Sequence, residues 1–349
     1  MKKMILATAA FLLGATAAQA GEQIHIVGSS TVYPFSSYVA EELGATTNLK
    51  TPVVESTGSG GGMKLFCAGN GSDTPDFTNA SRRMKDKEYT TCQENGVKYI
   101  TEAVIGYDGL AIAQSKSAPA FNITRKEMML AVAAEVPNKE GNALIANPYH
   151  YWDEINPKFP HRKITVYGPP TSSGTRDAFE DMILKGVCKK MDVYTNLYKA
   201  DKVKNKKYKK YHGIRQDGVY VPSGENDNLI VQKLTKDTEA LGIFGYSYLV
   251  ENADRIGAAT IEGIAPAPET VQDGSYKLSR SLYFYIKHAN QKHADGMMDY
   301  ANLFMSEKMI GDDGMLSEIG LIPLPEAMRE TYRNNVKNLV RMTADTLKK

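Results

Sequence analysis

The sequence predicts an α/β protein, and two observations carry this prediction. Short runs rich in β-branched and aromatic residues alternate with segments that place apolar residues three and four positions apart. Two long β-type runs, 103–113 and 280–287, flank a middle block, which indicates that the chain leaves one lobe, builds a second and returns. With 349 residues the chain is long enough for two lobes. A ligand is then expected in the cleft between them.

The first part of the chain alternates regularly between strand and helix. The predicted strands are 24–28, 51–57, 77–80 and 103–113, the last interrupted at 106–109. The predicted helices are 34–43 and 60–69. In the first of them Phe35, Tyr38, Val39 and Leu43 share one helical face, which predicts that this face packs on the sheet.

The same alternation continues to the end of the chain. Thr124 followed by Glu127 is typical of a capping box and predicts a helix over 124–134. The other predicted helices are 175–187, 228–234 and a helical tail from 296, broken at 311–314. The other predicted strands are 164–167, 240–248 and 282–286.

The N-terminus predicts a signal peptide over residues 1–20. Lys2 and Lys3 precede a ten-residue apolar run, and Ala18-Gln19-Ala20 fits the small-x-small rule for cleavage before Gly21. Beyond it we expect a discontinuous first lobe, 21–108 with 262–349, and a second lobe over 109–261. The protein is therefore expected to be exported.

Charge argues against a nucleic-acid partner. The chain carries 42 basic and 40 acidic side chains, and cleavage removes two lysines and no acid, which leaves the two signs balanced. A nucleic-acid binder normally has a clear basic excess. The dense basic run 199–210 is expected to be a solvated surface, with contact to an acidic partner as the alternative.

The cysteines and histidines predict no metal site. Cys67 and Cys92 flank one compact segment and are favoured as a disulfide pair, since export permits oxidation. This leaves Cys188 as a buried free thiol. The six histidines show no metal-ligand spacing, and neither a metal nor a cofactor is expected.

Three turns rich in Ser, Thr and Gly each stand between a strand and a helix, at 28–32, 56–62 and 170–177. The first N–H groups of a helix lack intrahelical partners, and the aligned peptides place partial positive charge there. Hydroxyls add donors, so such a turn suits a phosphate-like oxyanion. One turn alone indicates only a helix cap. Three together predict an anion site between two walls.

Two further candidates are basic residues, one after the predicted strand 77–80 and one in the third turn. Arg82 follows Ser81 at the end of a predicted strand, and Arg176 opens the helix after the third turn. Guanidinium groups match oxyanions in bidentate geometry, so both are candidate ligand contacts. For Arg176 a salt bridge with Asp177 or Glu180 is an equal alternative. No Walker A motif and no GxSxG elbow occurs.

These motifs resemble the periplasmic phosphate-binding proteins of high-affinity phosphate ABC transporters. The resemblance runs in family order over nearly the whole chain after residue 20. It rests on GSSTVYPF (28–35), STGSGGGMKLF (56–66), DFTNASR (76–82), IGYDGLAI (105–112), SSGTRDAFED (172–181), EALGIFGYSY (239–248) and KLSRSLYFYIK (277–287). It implies a type II periplasmic binding fold, in which two α/β lobes joined by hinge strands close on one dehydrated phosphate.

The resemblance also implies which residues hold the ligand. The Thr of the first turn and the next backbone N–H correspond to Thr31 and Val32, with Ser30 beside them. The Ser of the second turn corresponds to Ser59. The third turn supplies Ser173, Gly174 and Thr175.

Two departures concern charge. Well-known members carry an Asp after the Ala-Ser of the third strand, where this chain has Arg82 after Ser81, and an Arg where this chain has Pro169. Arg82 and Arg176 are therefore expected to supply the positive charge. Asp108 is the candidate acceptor for the proton that distinguishes phosphate from sulfate, with a hinge-turn role or a pairing with Arg82 as the alternative.

The expected function is the substrate-binding component of an ABC transporter. It captures inorganic phosphate in the periplasm, delivers it to an inner-membrane permease as a monomer, and catalyses no reaction. One alternative is a receptor for another tetrahedral oxyanion such as sulfate, arsenate or a molybdate-like ion. A second is a secreted phosphatase or serine hydrolase using Ser59 or Ser173. A third is a surface protein that keeps the fold without the ligand.

Overall fold

The structure is a computed structural model that describes residues 22–171, 173–204, 211–224 and 228–348. The predicted signal peptide and the end of the basic run lie outside these ranges. Within them, no helix has the length and apolar character needed to cross a membrane.

The strands are β1 (His25–Gly28), β2 (Val53–Ser56), β3 (Phe77–Ala80), β4 (Ile100–Ser115), β5 (Asn122–Ile123), β6 (Glu135–Pro137), β7 (Leu144–Ala146), β8 (Val166–Gly168), β9 (Tyr220–Pro222), β10 (Leu241–Gly245), β11 (Ile256–Ala258), β12 (Thr260–Ile261) and β13 (Ser279–Lys287).

The α-helices are α1 (Tyr33–Thr46), α2 (Gly58–Phe66), α3 (Asp86–Glu94), α4 (Arg125–Val132), α5 (Trp152–Ile155), α6 (Gly174–Phe179), α7 (Gly186–Cys188), α8 (Asp192–Lys204), α9 (Asn228–Lys236), α10 (Tyr246–Glu251), α11 (Pro268–Gln272), α12 (Met297–Phe304), α13 (Glu307–Ile310), α14 (Met315–Glu318) and α15 (Glu326–Lys337). A π-helical segment, Glu180–Lys185, joins α6 to α7, and His288–Lys292 and Thr346–Lys348 are 3₁₀-helical.

Most predicted elements are present, and the exceptions have local causes. The Thr124 hydroxyl accepts the N–H of Glu127 at 3.1 Å, as the capping box before α4 predicts. The predicted strand 240–248 ends at Gly245, where α10 begins. β4 continues through its glycines, because a register shift opposite Leu282 and Tyr283 of β13 absorbs the irregularity.

One sheet runs through the molecule, with strand order β2-β1-β3-β13-β4-β10-β8-β9 and β11 beside β4. β1 is parallel to both β2 and β3, and β8 is parallel to β9 and β10. β4 is antiparallel to β13 along its first part and to β10 along its last part. This 16-residue strand therefore connects the two ends of the sheet.

Two large hydrophobic cores lie along this sheet. One is built from the beginning and the end of the chain, with Phe77, Phe284 and Phe304 among its buried side chains. The other is built mainly from the middle, around Trp152 and Phe179. It also includes Val271, Tyr276 and Leu278, which the expected boundary at 261/262 assigns to the first lobe, and Ile322 from the C-terminal part of the chain. We propose a two-lobe division with the second boundary near residue 278.

Candidate functional site

The first two turns begin at one edge of the sheet. β1, β2 and β3 are parallel neighbours, so their carboxyl ends meet, and Gly28 pairs in register with both Ser56 and Asn79. The N–H of Thr57 donates to the Gly28 carbonyl at 2.8 Å. Ser81 follows β3 directly. Residues far apart in sequence are thus brought to one place by strand pairing alone.

The first turn leads into α1. The Thr31 N–H donates to the Ser29 hydroxyl at 3.2 Å, which orients the turn. Ser30 and Thr31 are half-buried, whereas the Val32 side chain is fully buried in the core. Of Val32, only the backbone N–H is therefore suited to meet a ligand.

The second turn begins α2 and contacts the end of β3. The Ser59 hydroxyl accepts the Ser81 N–H at 3.0 Å, and the two hydroxyls lie 3.2 Å apart. α2 packs so closely on β1 that a Cβ on Gly62 would lie 2.6 Å from the Gly28 Cα. Glycine at this position therefore allows the N-terminus of α2 to reach the strand ends.

The third turn touches the first. The Ser173 hydroxyl accepts the Thr175 N–H at 3.2 Å and caps α6. The Thr31 hydroxyl donates to the Gly174 carbonyl at 3.4 Å. A Cβ on Gly174 would lie 2.7 Å from both the Thr31 nitrogen and the Thr31 hydroxyl oxygen, so only glycine permits this approach. The structure thus brings together two turns that are 143 residues apart.

Arg280, on β13, is the cation at this junction. Its Nη2 donates to the Thr31 hydroxyl at 2.7 Å and to the Gly174 carbonyl at 3.4 Å. Its Nε donates to Asp108 Oδ2 at 3.2 Å, and both side chains are largely buried. Asp108 therefore pairs with Arg280, and not with Arg82 as the sequence-based alternative had it.

Sequence reasoning did not single out Arg280, although the motif 277–287 contains it. The available signal was a basic residue near the start of the second long β run. Its meaning depends on the antiparallel register that places Arg280 opposite Asp108, and local patterns carry no such register.

Arg82 lines the cleft but is already held by a carboxylate. Its Nη1 and Nη2 donate to the two Glu88 oxygens at 2.8 and 2.6 Å. The hydrogen bonds to Glu88 raise the pKa of Arg82. Burial opposes ionisation of Glu88, but Arg82 and the backbone N–H of Lys85 outweigh it and lower the pKa of that carboxyl. The positive charge of Arg82 is therefore neutralised by Glu88 at the cleft wall.

Arg176 lies away from the junction. Its Nε donates to Glu180 at 2.6 Å, its Nη1 donates to the Pro169 carbonyl at 3.3 Å, and its guanidinium lies 4.7 Å from the centre of the Tyr220 ring. The side chain is buried in these contacts. The salt bridge with Glu180, the alternative role weighed from the sequence, is the one found.

A cleft of about 750 Å³ opens beside the turns. Its walls come from α2 and the β3–α3 connection on one side, and from α6, the π-helical segment and α8 on the other. The lining residues are Gly58, Ser59, Gly60, Ser81, Arg82, Lys85, Asp177, Glu180, Asp181, Lys185, Lys189, Thr195, Tyr198, Lys199, His212 and Arg280. Helix N-termini, hydroxyls and a guanidinium together form a donor-rich site suited to an oxyanion.

Among residues 22–348, the described positions contain no group of three or more His, Cys, Asp and Glu side chains that could hold a metal ion. Cys67 and Cys92 are joined by a disulfide bond, the pairing that the sequence favoured, and Cys188 is a buried free thiol. Burial raises the pKa of Cys188 to about 11, which keeps the thiol protonated and unreactive.

Comparison with known proteins gives a consistent result. Residues 14–308 match the model of the PBP superfamily domain. The chain is 30% identical over 319 residues to Protein SphX of Synechococcus elongatus, covering 88% of this chain and 80% of that protein. It is 28% identical over 304 residues to phosphate-binding protein PstS of Staphylococcus saprophyticus, covering 86% and 79%.

Solved structures agree. A possible phosphate-binding protein from Planctomyces limnophilus is 28% identical, with a TM-score of 0.70 over 92% of this chain and 99% of that one. An ABC-type phosphate transport receptor from Vibrio cholerae has a TM-score of 0.60 over 87% and 100%, at 18% identity, which shows likeness of fold alone.

Proposed function

The chain belongs to the PBP superfamily and has the type II periplasmic binding fold, and from this premise we propose that it captures inorganic phosphate as the substrate-binding component of an ABC transporter. One observation carries the proposal. Arg280 joins the first and third turns, through Thr31 and Gly174, at the cleft that Ser59 and Ser81 also line.

Binding in this site needs oriented donors and no covalent step. The backbone N–H of Val32, directly before α1, and the N–H groups at the starts of α2 and α6 supply donors with favourable dipoles. The hydroxyls of Ser59 and Thr175 add further hydrogen bonds, that of Thr31 adds one when its hydrogen turns from the Gly174 carbonyl to the ligand, and Arg280 adds positive charge. A ligand that contacts both walls favours the closed arrangement, because its binding energy differs between open and closed forms.

We assign the recognition of the phosphate proton to Asp108. At neutral pH phosphate carries a proton and sulfate carries none. A carboxylate that must accept this proton rejects sulfate, since an unpaired buried acceptor facing a sulfate oxygen is costly. Asp108 also holds Arg280 in place through its Oδ2.

The experiment that tests the proposal is calorimetric titration with phosphate and then with sulfate, after unfolding and refolding in phosphate-free buffer. One-to-one phosphate binding without a sulfate signal supports it. Equal binding of both ions would make the protein a general oxyanion receptor. If neither ion binds, the remaining alternative is a surface protein that keeps the fold without the ligand.

We propose further that the protein acts as a periplasmic monomer, exported by residues 1–20, and delivers its ligand to an inner-membrane permease without catalysing a reaction. Incubation with a chromogenic phosphate ester checks the last point. If the protein hydrolyses this ester, and Ser59→Ala or Ser173→Ala abolishes the hydrolysis, the phosphatase alternative is correct and the receptor proposal is wrong. Fractionation of cells that express the full chain checks the periplasmic location.

A further inference from the structure

The cleft carries positive charge although the chain after residue 20 is neutral. Six of the sixteen residues that line it are basic and three are acidic. Three of the basic residues are held in ion pairs: Arg82 with Glu88, Arg280 with Asp108 and Lys185 with Asp181.

The other three basic residues, Lys85, Lys189 and Lys199, form no salt bridge within the part of the chain that the structure describes. All three are exposed. We call them the lysine rim. Lys85 belongs to the wall that contains Ser59 and Ser81, and Lys189 and Lys199 belong to the opposite wall.

The acids of the cleft are already engaged on the second wall. Glu180 pairs with Arg176, Asp181 pairs with Lys185, and Asp177 lies in the first turn of α6. Asp181 also acts on Lys85 and Lys189, so the acids reduce the positive charge of the cleft, but three acidic lining residues do not cancel six basic ones.

Lys85 is close to charged groups of both walls. Burial lowers its pKa most and the Arg82 guanidinium lowers it further, Glu88 opposes this, and smaller opposite effects come from Lys185 and Asp181 of the other wall. An anion entering there would reduce the repulsion between Lys85 and the two cations.

We propose that the lysine rim captures the phosphate dianion electrostatically and guides it to the junction of the three turns, without contacting the bound ion. This inference rests on the proposed function. Clefts lined by one sign of charge concentrate ligands of the opposite sign and raise association rates, with a steep dependence on ionic strength. The effect acts on approach and so leaves dissociation unchanged.

The test compares the full-length protein with the triple variant Lys85→Gln, Lys189→Gln, Lys199→Gln. Association and dissociation of inorganic phosphate are followed by stopped-flow intrinsic fluorescence, with calorimetric Kd values as a second readout. At low ionic strength we expect association to slow about tenfold and the calorimetric Kd to rise by the same factor. At about 0.5 M salt the two proteins should converge, because salt screens exposed charges.

The matched control removes three exposed lysines that do not line the cleft, Lys98, Lys139 and Lys337. This control variant should keep the wild-type association and dissociation rates, since we attribute the slower association to the position of the lysines and not to the net charge. Faster dissociation with unchanged association in the rim variant would mean direct ligand contact and would overturn the proposal. Equal loss in the control, or no loss in either variant, would overturn it also. If the wild-type protein binds no phosphate, the proposed function fails and this inference fails with it.

Discussion

Arg280 and Asp108 face each other across neighbouring antiparallel strands and are joined by an Nε to Oδ2 contact of 3.2 Å. The same guanidinium donates through Nη2 to the Thr31 hydroxyl at 2.7 Å. One side chain therefore links the strand that connects the two cores to the first of the three turns. Arg280 therefore supplies at this junction the positive charge that we had expected from Arg82 and Arg176.

Replacing Arg280 tests that assignment. Arg280→Gln should weaken phosphate binding about 30-fold, equivalent to ~2 kcal/mol, because it removes a charge-assisted donor from a shielded site. Calorimetric Kd values measure the effect. Arg125→Gln is the control, since Arg125 pairs with Glu262 outside the cleft lining. Equal affinities for wild type and Arg280→Gln would remove Arg280 from the site.

Replacing Asp108 tests selectivity. Asp108→Asn keeps the shape of the side chain but can donate a hydrogen bond, so an unprotonated oxyanion becomes acceptable. We expect the preference for phosphate over sulfate to fall by about tenfold or more. Competition of sulfate with phosphate in calorimetry measures this ratio. A variant with weaker binding of both ions and an unchanged ratio would limit Asp108 to positioning Arg280.

Local pattern predicted most of the elements around the site. The apolar spacing in 34–43 predicted α1, and the alternation of strand and helix predicted the order of β1, β2 and β3 with α1 and α2. These elements are determined by neighbours three or four positions apart. The three turns were recognisable for the same reason, because each stands directly between a strand and a helix.

The charge arrangement could not be predicted from local pattern. Arg280 and Asp108 are 172 residues apart, and only strand register brings them together. Arg176 belongs to the third turn and Arg82 follows β3, yet Glu180 and Glu88, four and six residues further along, lie in helical segments that bring them into salt bridges with these two residues. The first three residues of α10, 246–248, were predicted as strand because their tyrosines have high β-propensity, but β10 ends at Gly245, which is the N-cap of α10.

Gly174 provides a test of closure. In Gly174→Ala the new Cβ would lie 2.7 Å from the Thr31 hydroxyl, so the first and third turns can no longer touch. We expect phosphate affinity to fall about tenfold, since relieving such a clash costs on the order of 1–3 kcal/mol. Gly257→Ala is the matched control, because its Cβ would meet nothing within 4 Å and the residue lies outside the cleft lining. Unchanged binding in Gly174→Ala would mean that closure does not need this contact.

The disulfide should contribute to stability. Cys67 and Cys92 are separated by 25 residues, and closing a loop of this size constrains the unfolded chain by about 3 kcal/mol. The double variant Cys67→Ala, Cys92→Ala should therefore show a lower free energy of unfolding in urea. Thiol titration of the unfolded wild-type protein should give one reactive thiol, Cys188. Three thiols without added reductant would contradict the pairing.

Lys287 should make stability depend on pH in the alkaline range. Its side chain is fully buried, and its ammonium group donates to the Gly69 carbonyl at 2.7 Å and to the Thr74 hydroxyl at 2.8 Å. Burial lowers its pKa to about 8, against the partial opposition of Asp76 and Asp73.

Between pH 8 and the unfolded-state pKa near 10.5, the unfolded chain binds more protons at Lys287 than the folded chain does. The contribution of Lys287 to the free energy of unfolding must therefore rise with pH between pH 8 and 10.5, by up to ~3 kcal/mol. Urea denaturation of wild type and Lys287→Met at several pH values isolates this contribution as the difference between the two curves. Lys337→Met, at an exposed position, should track the wild type. A difference curve that is flat from pH 8 to 10.5 would show that the buried ammonium keeps its ordinary pKa.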